Sequence, residues 1–262
     1  MSPVADLRAS ARTAGFVGLT FSLLGCLEAD LRTAPALRRA AVTYKWMARY
    51  GRGLLRLYGL SVKAQGPYLD RGEPYPAHDD RGRGRIFVMN HRSMLDILVD
   101  LAFVEANAVS RADLARWPVI GLAARRVGTL FVDRADKRSG SAVINAMVAG
   151  VEQGRGVLVY PEGTTFAGDE VRPFRAGAFI AAQRADAEIV PLGIAYGGGD
   201  ASFLEESFPQ HYRRVASSPR TPIALIAGEP FRVAGADVAA IERRAHAEVQ
   251  ALVRCARALL GE

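Results

Sequence analysis

The 262-residue chain has little cysteine, and its two cysteines, Cys26 and Cys255, lie far apart with no metal-ligand spacing. So few cysteines fit a reducing, cytoplasmic setting. The sequence also lacks a P-loop pattern and a cluster of carboxylates suited to Mg²⁺. These absences argue against a phosphoryl-transfer enzyme and against a metal site.

Positive charge is concentrated at the N-terminal end of the chain. Residues 1–66 contain ten arginine or lysine residues against three acids, an excess equal to the net charge of +7 of the whole chain. The remaining residues are balanced in charge, so nucleic acid is a poor partner. Half of all residues are hydrophobic, enough to bury the core of one large domain.

The first 60 residues are predicted to form a helical membrane-binding segment. Residues 13–27 are apolar and uncharged. Because a bilayer span takes about 20 apolar residues, this segment is expected to lie in the interface, to re-enter or to pack in a core. A signal peptide is the competing interpretation, ranked lower because no convincing cleavage site follows.

Residues 36–58 have helical spacing, with basic residues largely on one side. Four aromatic residues on this helix are suited to a headgroup layer: Tyr44, Trp46, Tyr50 and Tyr58. A basic amphipathic helix next to an apolar segment predicts binding to a membrane surface. The alternative is a helix with a solvated charged face, packed against the main domain.

Residues 61–262 are predicted to form an α/β domain after a polar loop rich in glycine and proline at 66–85. Apolar runs and helical periodicity alternate along it, which predicts a mixed, largely parallel sheet flanked by helices, with functional loops at strand ends. The predicted strands are 86–90, 107–110, 128–132, 156–160, 188–196 and 222–227, and the predicted helices are 94–106, 113–126, 138–153, 176–185 and 237–260.

His91 follows the first of these strands at its junction with a helix. Imidazole has a pKa close to neutral, so His91 is a candidate general base, and Asp96 is placed to orient its ring through Nδ1. Ser93 and Asp96 also have the spacing of a capping box, a structural role for the same residues. Both roles are compatible.

Later strand ends supply further polar groups. Arg134 follows the strand at 128–132 and suits bidentate phosphate recognition, although pairing with Asp133 or Asp136 is the alternative. The loop that follows the strand at 156–160 has amide and hydroxyl groups typical of an anion-binding turn. Pro191 lies inside an apolar strand, which predicts a sheet edge or a bulge.

Four ordered segments resemble the motifs of the glycerolipid acyltransferase family, which includes lysophosphatidic acid acyltransferases. They are Asn90-His91-x4-Asp96, Gly128-x-x-Phe131-Val132-Asp133-Arg134, Tyr160-Pro161-Glu162-Gly163-Thr164 and Ile189-Val190-Pro191. The match covers roughly residues 60–230, in the family's order and spacing. Four motifs in register are far more specific than any one of them.

The resemblance implies acyl transfer from acyl-CoA or acyl-carrier protein to the hydroxyl of a lysolipid, with no cofactor or metal. His91 would be the general base and Asp96 its orienting partner. Residues implied to hold the acceptor or shape its pocket are Arg134, Glu162, Gly163, Thr164, Thr165, Gly128 and Phe131. The expected location is the cytoplasmic face of the cytoplasmic membrane.

One position departs from the family. Members that act on lysophosphatidic acid typically have arginine after Glu-Gly-Thr, where this chain has Thr165. Lysophosphatidic acid stays the leading acceptor because Arg134, Arg172 and Arg175 are available. Lyso-ornithine lipid and lysophosphodiesters are alternatives. A peripheral membrane protein that only binds lipid is the non-enzyme alternative, and it would not need both His91 and Asp96.

Overall fold

The computed structural model describes residues 2–133, 137–198 and 201–261. Its described strands form one mixed sheet in the order β1-β7-β6-β2-β5-β3-β4, with β8 paired to β6. The strands are β1 Leu60–Gln65, β2 Ile86–Met89, β3 Asn107–Arg111, β4 Leu130–Val132, β5 Val157–Val159, β6 Glu188–Tyr196, β7 Thr221–Ala227 and β8 Phe231–Arg232.

Helices cover both faces of this sheet. They are α1 Pro3–Thr33, α2 Arg39–Tyr58, α3 Asp96–Phe103, α4 Ile120–Val127, α5 Lys137–Glu152, α6 Gly177–Ala185, α7 Phe208–Ser217 and α8 Val238–Leu260. Strand side chains alternate between two cores: Phe87 and Met89 pack with α2 and α3, whereas Ile86 and Val88 pack with α5, α6 and α8. The predicted α/β class is confirmed.

The pairing brings several strand ends to one edge of the sheet. β2 lies between β5 and β6 and runs parallel to both. The carboxyl ends of these three strands therefore meet, which is where open α/β sheets place their sites. β1–β7, β3–β5 and β3–β4 are also parallel, and β6 pairs antiparallel with β7 and β8.

Pro191 does not lie at a sheet edge, but the antiparallel register along β6 changes by one residue beside it, as the alternative prediction of a bulge requires. It pairs with Val88 in the interior of the sheet. On the other side of β6, β7 pairs as far as Leu192 and β8 pairs at Glu188 and Ile189. Pro191 thus lies in the gap between the paired segments of β7 and β8. The sheet therefore loses no hydrogen bond through the missing N–H of this proline.

Four elements differ from the sequence prediction. The predicted helix 113–126 is divided into a short 3₁₀ turn, Ala112–Arg116, and α4, because Pro118 holds Trp117 in an extended conformation. α7 was not predicted, although Ser207 and Gln210 form a capping box at its start and Pro209 lies in its first turn. β1 and the two-residue β8 were also missed.

The N-terminal helix is longer than its apolar stretch suggested. α1 has 31 residues and is the one helix in the described part of the chain that is long and apolar enough to cross a membrane. Little of its most apolar stretch is buried. Such a helix favours membrane association.

α1 and α2 pack against each other and against the domain. The Tyr50 hydroxyl lies 2.6 Å from Thr20 Oγ1, and Tyr44 and Tyr58 are buried. These three tyrosines were predicted to face a headgroup layer, and they do not. Trp46 is half-buried and donates to Asp30. At Gly51 a Cβ would lie 2.4 Å from a backbone nitrogen of α3, so this helix contact requires glycine. The domain boundary at residue 60 stays a prediction.

Candidate active site

Asn90 shapes the turn that follows β2. Its side-chain amide donates to the Ile194 carbonyl and accepts from the Ile194 N–H, both at 2.9 Å. The side chain therefore continues the parallel β2–β6 pairing by one further step, as a backbone peptide would. This lock places the next residue, His91, at the carboxyl edge of the sheet.

His91 and Asp96 lie in direct contact, with 2.6 Å between Nδ1 and Oδ2. Asp96 begins α3, and its side chain is fully buried, whereas 20% of the His91 side chain is exposed. Since a carboxylate accepts, the contact assigns the His91 proton to Nδ1 and leaves the lone pair on Nε2. The ring is oriented from the protein side and accessible from the solvent side.

The Asp96 carboxylate receives four hydrogen bonds. Oδ2 accepts from His91 and from the backbone N–H groups of Arg92 (2.7 Å) and Ser93 (3.0 Å), and Oδ1 accepts from the Tyr196 hydroxyl at 2.5 Å. Asp96 thus orients the imidazole and satisfies free amides ahead of α3, so both roles expected for it are compatible. Three donors on Oδ2 and one on Oδ1 hold the carboxylate in a fixed orientation.

A tyrosine ring supports the imidazole from one face. Tyr160, at the end of β5, stacks on His91 with ring centroids 4.0 Å apart and planes 14° from parallel. Its hydroxyl donates to Asp100, one helical turn after Asp96. Burial, together with the neighbouring Asp100, raises the pKa of Tyr160, and burial also raises the pKa of Asp100. Burial thus favours the neutral form of both groups.

Glu162 forms a buried ion pair with Arg92. The Glu162 carboxylate accepts from Arg92 Nη1 at 2.8 Å, from the His91 N–H at 2.8 Å and from the Arg172 N–H at 2.9 Å. The Arg92 guanidinium also donates to three backbone carbonyls, those of His91, Gly168 and Glu170. All described contacts of Glu162 are thus within the protein, and its predicted role in binding the acceptor stays a prediction.

The loop after Glu162 lies against the His91 turn. The Phe166 N–H donates to the His91 carbonyl at 3.1 Å. Gly163 has φ of +79°, and a Cβ there would lie 2.4 Å from Arg175 Nε, so the arginine side chain lies directly on this glycine. Thr164 is exposed and Thr165 half-buried in the same loop.

Two exposed guanidinium groups belong to this loop. Arg172 lies over the Phe166 ring, with 5.0 Å from its guanidinium carbon to the ring centroid, and Arg175 lies on Gly163. Within the described part of the chain, neither guanidinium has an ion pair or a hydrogen bond from its side chain. They are a source of positive charge for an anionic group near His91.

The second motif lies further along the sheet. Gly128 ends α4 with φ of +89° and lines a small cavity with Asn107 and Leu130. Phe131 is half-buried on β4, three strands from β2, which is roughly 14 Å at the usual strand spacing. Arg134 lies outside the described residues. The predicted roles of these residues stay predictions.

Several residues of the site were missed by sequence analysis. Arg92 and Tyr160 stood inside recognised motifs but had no assigned contact, and Ser93 was expected only as part of a capping box. Tyr196 and His211 lie 100 and 118 positions from the residues they contact, Asp96 and Ser93. The capping box at Ser207 was the one sequence signal that would have placed His211 on a helix.

A group of carboxylates with metal-ligand proximity lies elsewhere, at the start of β6. Asp79, Asp80 and Glu188 have oxygens within 4.8 Å of one another. Each of the three is paired with arginine, through Arg81, Arg232 and Arg85. Such pairing makes this group an ion-pair network rather than a metal site.

The sequence model of the family described as Acyltransferase matches residues 71–195. The matched range contains His91, Asp96, Tyr160 and Glu162. This stretch of the chain, just under half of its length, therefore matches the acyltransferase family. The geometry of the candidate base and the match to the family are two independent observations, and both concern residues 71–195.

Two curated relatives differ in the acceptor that their names give. A 1-acyl-sn-glycerol-3-phosphate acyltransferase of Neisseria meningitidis is 28% identical over 146 residues, covering 56% of this chain and 53% of the relative. A lyso-ornithine lipid O-acyltransferase of Pseudomonas aeruginosa is 31% identical over 172 residues, covering 63% and 66%. The chain thus spans about half to two thirds of the length of these relatives.

The fold of the chain is similar to a solved structure. The crystal structure of the 1-acyl-sn-glycerophosphate (LPA) acyltransferase PlsC from Thermotoga maritima superposes with a TM-score of 0.72 and 18% identity, covering 95% of this chain and 96% of that one. The likeness extends over α1 and α2 as well as the sheet, because only a twentieth of the chain is left uncovered.

Proposed function

We propose that the protein transfers an acyl group from a thioester to the free hydroxyl of a lysolipid. The observation that carries the proposal is the His91–Asp96 contact, which leaves Nε2 unprotonated at the accessible side of the ring, inside an acyltransferase domain. A protein that only binds lipid would have no use for a base oriented by a carboxylate that four hydrogen bonds hold in place.

The reaction needs one base and no covalent enzyme intermediate. His91 Nε2 accepts the proton of the lysolipid hydroxyl while the hydroxyl oxygen forms a bond to the thioester carbonyl carbon. The carbon–sulfur bond then breaks, and the imidazolium returns its proton to the leaving thiolate. Asp96 and the stacked Tyr160 ring stabilise the imidazolium between the two steps.

We infer lysophosphatidic acid as the first acceptor to test. Arg172 and Arg175 present two guanidinium groups, unpaired among the described residues, beside the His91 turn. Arginine binds phosphate in a bidentate manner, and two such groups suit a phosphate monoester. Arg134, which follows β4, is a third source of charge proposed from the sequence. The donor, acyl-CoA or acyl-carrier protein, is proposed on the family resemblance.

Lyso-ornithine lipid is the second candidate acceptor. Thr165 occupies the position after Glu-Gly-Thr where a further arginine is typical for lysophosphatidic acid, and the relative from Pseudomonas aeruginosa supports the same choice. Ornithine lipids carry no phosphate, so the loop charges would matter little for them. Substitution of Arg175 therefore separates the two candidates.

The decisive experiment is mass spectrometry of products formed by the purified full chain. The panel combines lysophosphatidic acid, lyso-ornithine lipid and a lysophosphodiester with both thioester donors. His91→Ala is expected to abolish the product, and His78→Ala, an exposed histidine at the opposite end of β2, serves as the matched control. Product from His91→Ala at near wild-type rate, or none from the wild type with any pair, would refute the proposal.

Acceptor choice is tested at two positions. Thr165→Arg is expected to shift relative kcat/KM toward lysophosphatidic acid by about 10- to 100-fold, the value of a charge-assisted hydrogen bond. Arg175→Gln is expected to shift the ratio the other way. If both ratios stay unchanged while activity is kept, the loop does not face the acceptor headgroup.

We propose that α1 and α2 hold the enzyme at the cytoplasmic face of the cytoplasmic membrane. Val4, Leu7, Val17 and Phe21 are exposed and lie along one side of α1. Because α2 packs into the domain, point changes are a cleaner test than deletion. Leu7→Ser with Phe21→Ser should reduce co-sedimentation with anionic vesicles, and equal co-sedimentation of the double variant and wild type would place the anchor elsewhere.

A further inference from the structure

A second histidine lies behind the candidate catalytic turn. His211, on α7, is fully buried. Its Nε2 lies 3.0 Å from Ser93 Oγ and 3.4 Å from the Met94 nitrogen. We propose that His211 is a positioning residue, which sets the orientation of the His91–Asp96 pair by holding Ser93.

The contacts of His211 assign its proton. Because the Met94 N–H can only donate, Nε2 accepts, and Nδ1, which lies 3.0 Å from the acceptor Glu206 Oε1, carries the proton. The Ser93 hydroxyl and the Met94 N–H therefore donate to Nε2. Burial lowers the pKa of His211, against the effect of Glu206, so the neutral ring stays an acceptor at neutral pH. The hydroxyl of Ser93 thereby has one defined direction.

Ser93 transmits this position to Asp96. The Ser93 N–H donates to Asp96 Oδ2 at 3.0 Å, beside the bond from His91 to the same oxygen. Because the Ser93 hydroxyl donates its proton to His211, its oxygen can accept a hydrogen bond from the Leu95 N–H, at 3.3 Å and at the start of α3. A displacement of Ser93 would therefore move both the backbone donor to Asp96 and the first residues of the helix that carries it.

α7 itself is held firmly. Its side chains bond α1 through Tyr212, whose hydroxyl lies 2.8 Å from Thr13 Oγ1, and the Phe203 N–H ahead of it donates to the Arg92 carbonyl at 2.8 Å. Arg214 pairs with Glu206 and lies 3.1 Å from His211 Nδ1. Both nitrogens of the imidazole are thus in contact with other residues, as a positioning residue requires. Because the ring is fully buried, it does not reach the substrate.

The kinetic test compares two side chains of similar size at this position. His211→Leu removes the acceptor and is expected to lower kcat by about 10- to 100-fold with acceptor KM within about twofold, because a buried hydroxyl and a buried N–H lose their partner. His211→Gln places an amide oxygen near the position of Nε2 and should restore most of the rate.

A double-variant cycle separates positioning from loosening of α7. Ser93→Ala should cause the same loss as His211→Leu, and the two changes together should cause little more. Tyr212→Phe is the control, because it removes hydrogen bonds of α7 to Thr13 and Tyr58 and leaves Ser93 untouched. It should lower the melting temperature and keep kcat. Additive losses in the cycle would overturn the proposal.

The kinetic arm rests on the proposed function, so a second readout is independent of activity. In ¹⁵N-resolved NMR spectra the Nδ1 proton of His91, assigned by its loss in His91→Ala, should be downfield in the wild type and in His211→Gln. It should move upfield or broaden in His211→Leu and in Ser93→Ala. An unchanged His91 resonance in Ser93→Ala overturns the proposal even if His211→Leu does not fold. A shifted resonance without any acyl transfer would instead refute the proposed function alone.

Discussion

Glu162→Gln tests whether the carboxylate of the Glu-Gly-Thr loop holds the protein or the acceptor. Neither side chain of the Arg92–Glu162 pair is exposed by more than 2%. The substituted amide would keep one acceptor oxygen but turn an NH₂ group toward Arg92 Nη1 and the Arg172 N–H, which are donors. Removing one partner of a buried ion pair costs about 3–5 kcal/mol of unfolding free energy.

That loss is large enough to measure by thermal unfolding. For a chain of this size it corresponds to a melting temperature lower by roughly 6–20 °C, at about 2–4 °C per kcal/mol. The matched control is Asp113→Asn, which breaks an exposed ion pair: the Arg111 side chain is 61% exposed and the Asp113 side chain 48%. This change should lower the unfolding free energy by about 0–1 kcal/mol.

Kinetics of the folded variant complete the test. If Glu162 is structural, the acceptor KM of Glu162→Gln should stay within a few-fold of wild type below its melting temperature. An unchanged melting temperature combined with a strongly raised acceptor KM would refute this reasoning and place Glu162 on the substrate.

Three further changes have defined outcomes. Asp96→Asn should lower kcat on the order of 10³- to 10⁴-fold with a smaller effect on acceptor KM, because the amide no longer enforces the Nδ1–H tautomer. A lower melting temperature at unchanged specific activity would instead show that Asp96 only caps the helix. Arg12→Ala removes donors from the carbonyls of Leu57, Ala216 and Ser218 and should lower the unfolding free energy in urea by about 2–4 kcal/mol, with Arg12→Lys between the two. Burial raises the pKa of Asp100, so the wild type loses stability as pH rises above the unfolded pKa near 3.8. Asp100→Asn should therefore match the wild type in stability below that pH and become more stable than the wild type above it. Parallel curves of unfolding free energy against pH from 3 to 8 would contradict this.

Elements that bury a continuous apolar run were predictable from sequence. β2 and β6 are buried at every position, and both were predicted within one residue of their bounds. α7 was missed because it is short and mostly polar: only His211, Val215 and Ala216 of its ten residues are buried. It docks against α1 and the His91 turn through contacts that span 199 to 209 residues of sequence for α1 and 118 residues for the His91 turn.

The site divides in the same way. Asp96 was predictable because it lies in the turn that carries His91, and one turn of chain fixes their distance. Tyr196 was not, since its hydroxyl reaches Asp96 only through the register of β6 against β2, in which Val88 faces Pro191. A chain with eight tyrosines offers no local signal for which one completes a carboxylate.

Arginine placement explains how Thr165 is compatible with an anionic acceptor. Arg92, next to the base, is unable to bind substrate because its donors are occupied by Glu162 and three carbonyls. Arg175, twelve residues after Gly163, folds back onto that glycine and brings its guanidinium to the loop that lacks arginine at position 165. The charge is thus supplied from the end of the loop rather than from its start. If this holds, Arg175→Gln should impair turnover of a phosphate-bearing acceptor far more than Thr165→Val does.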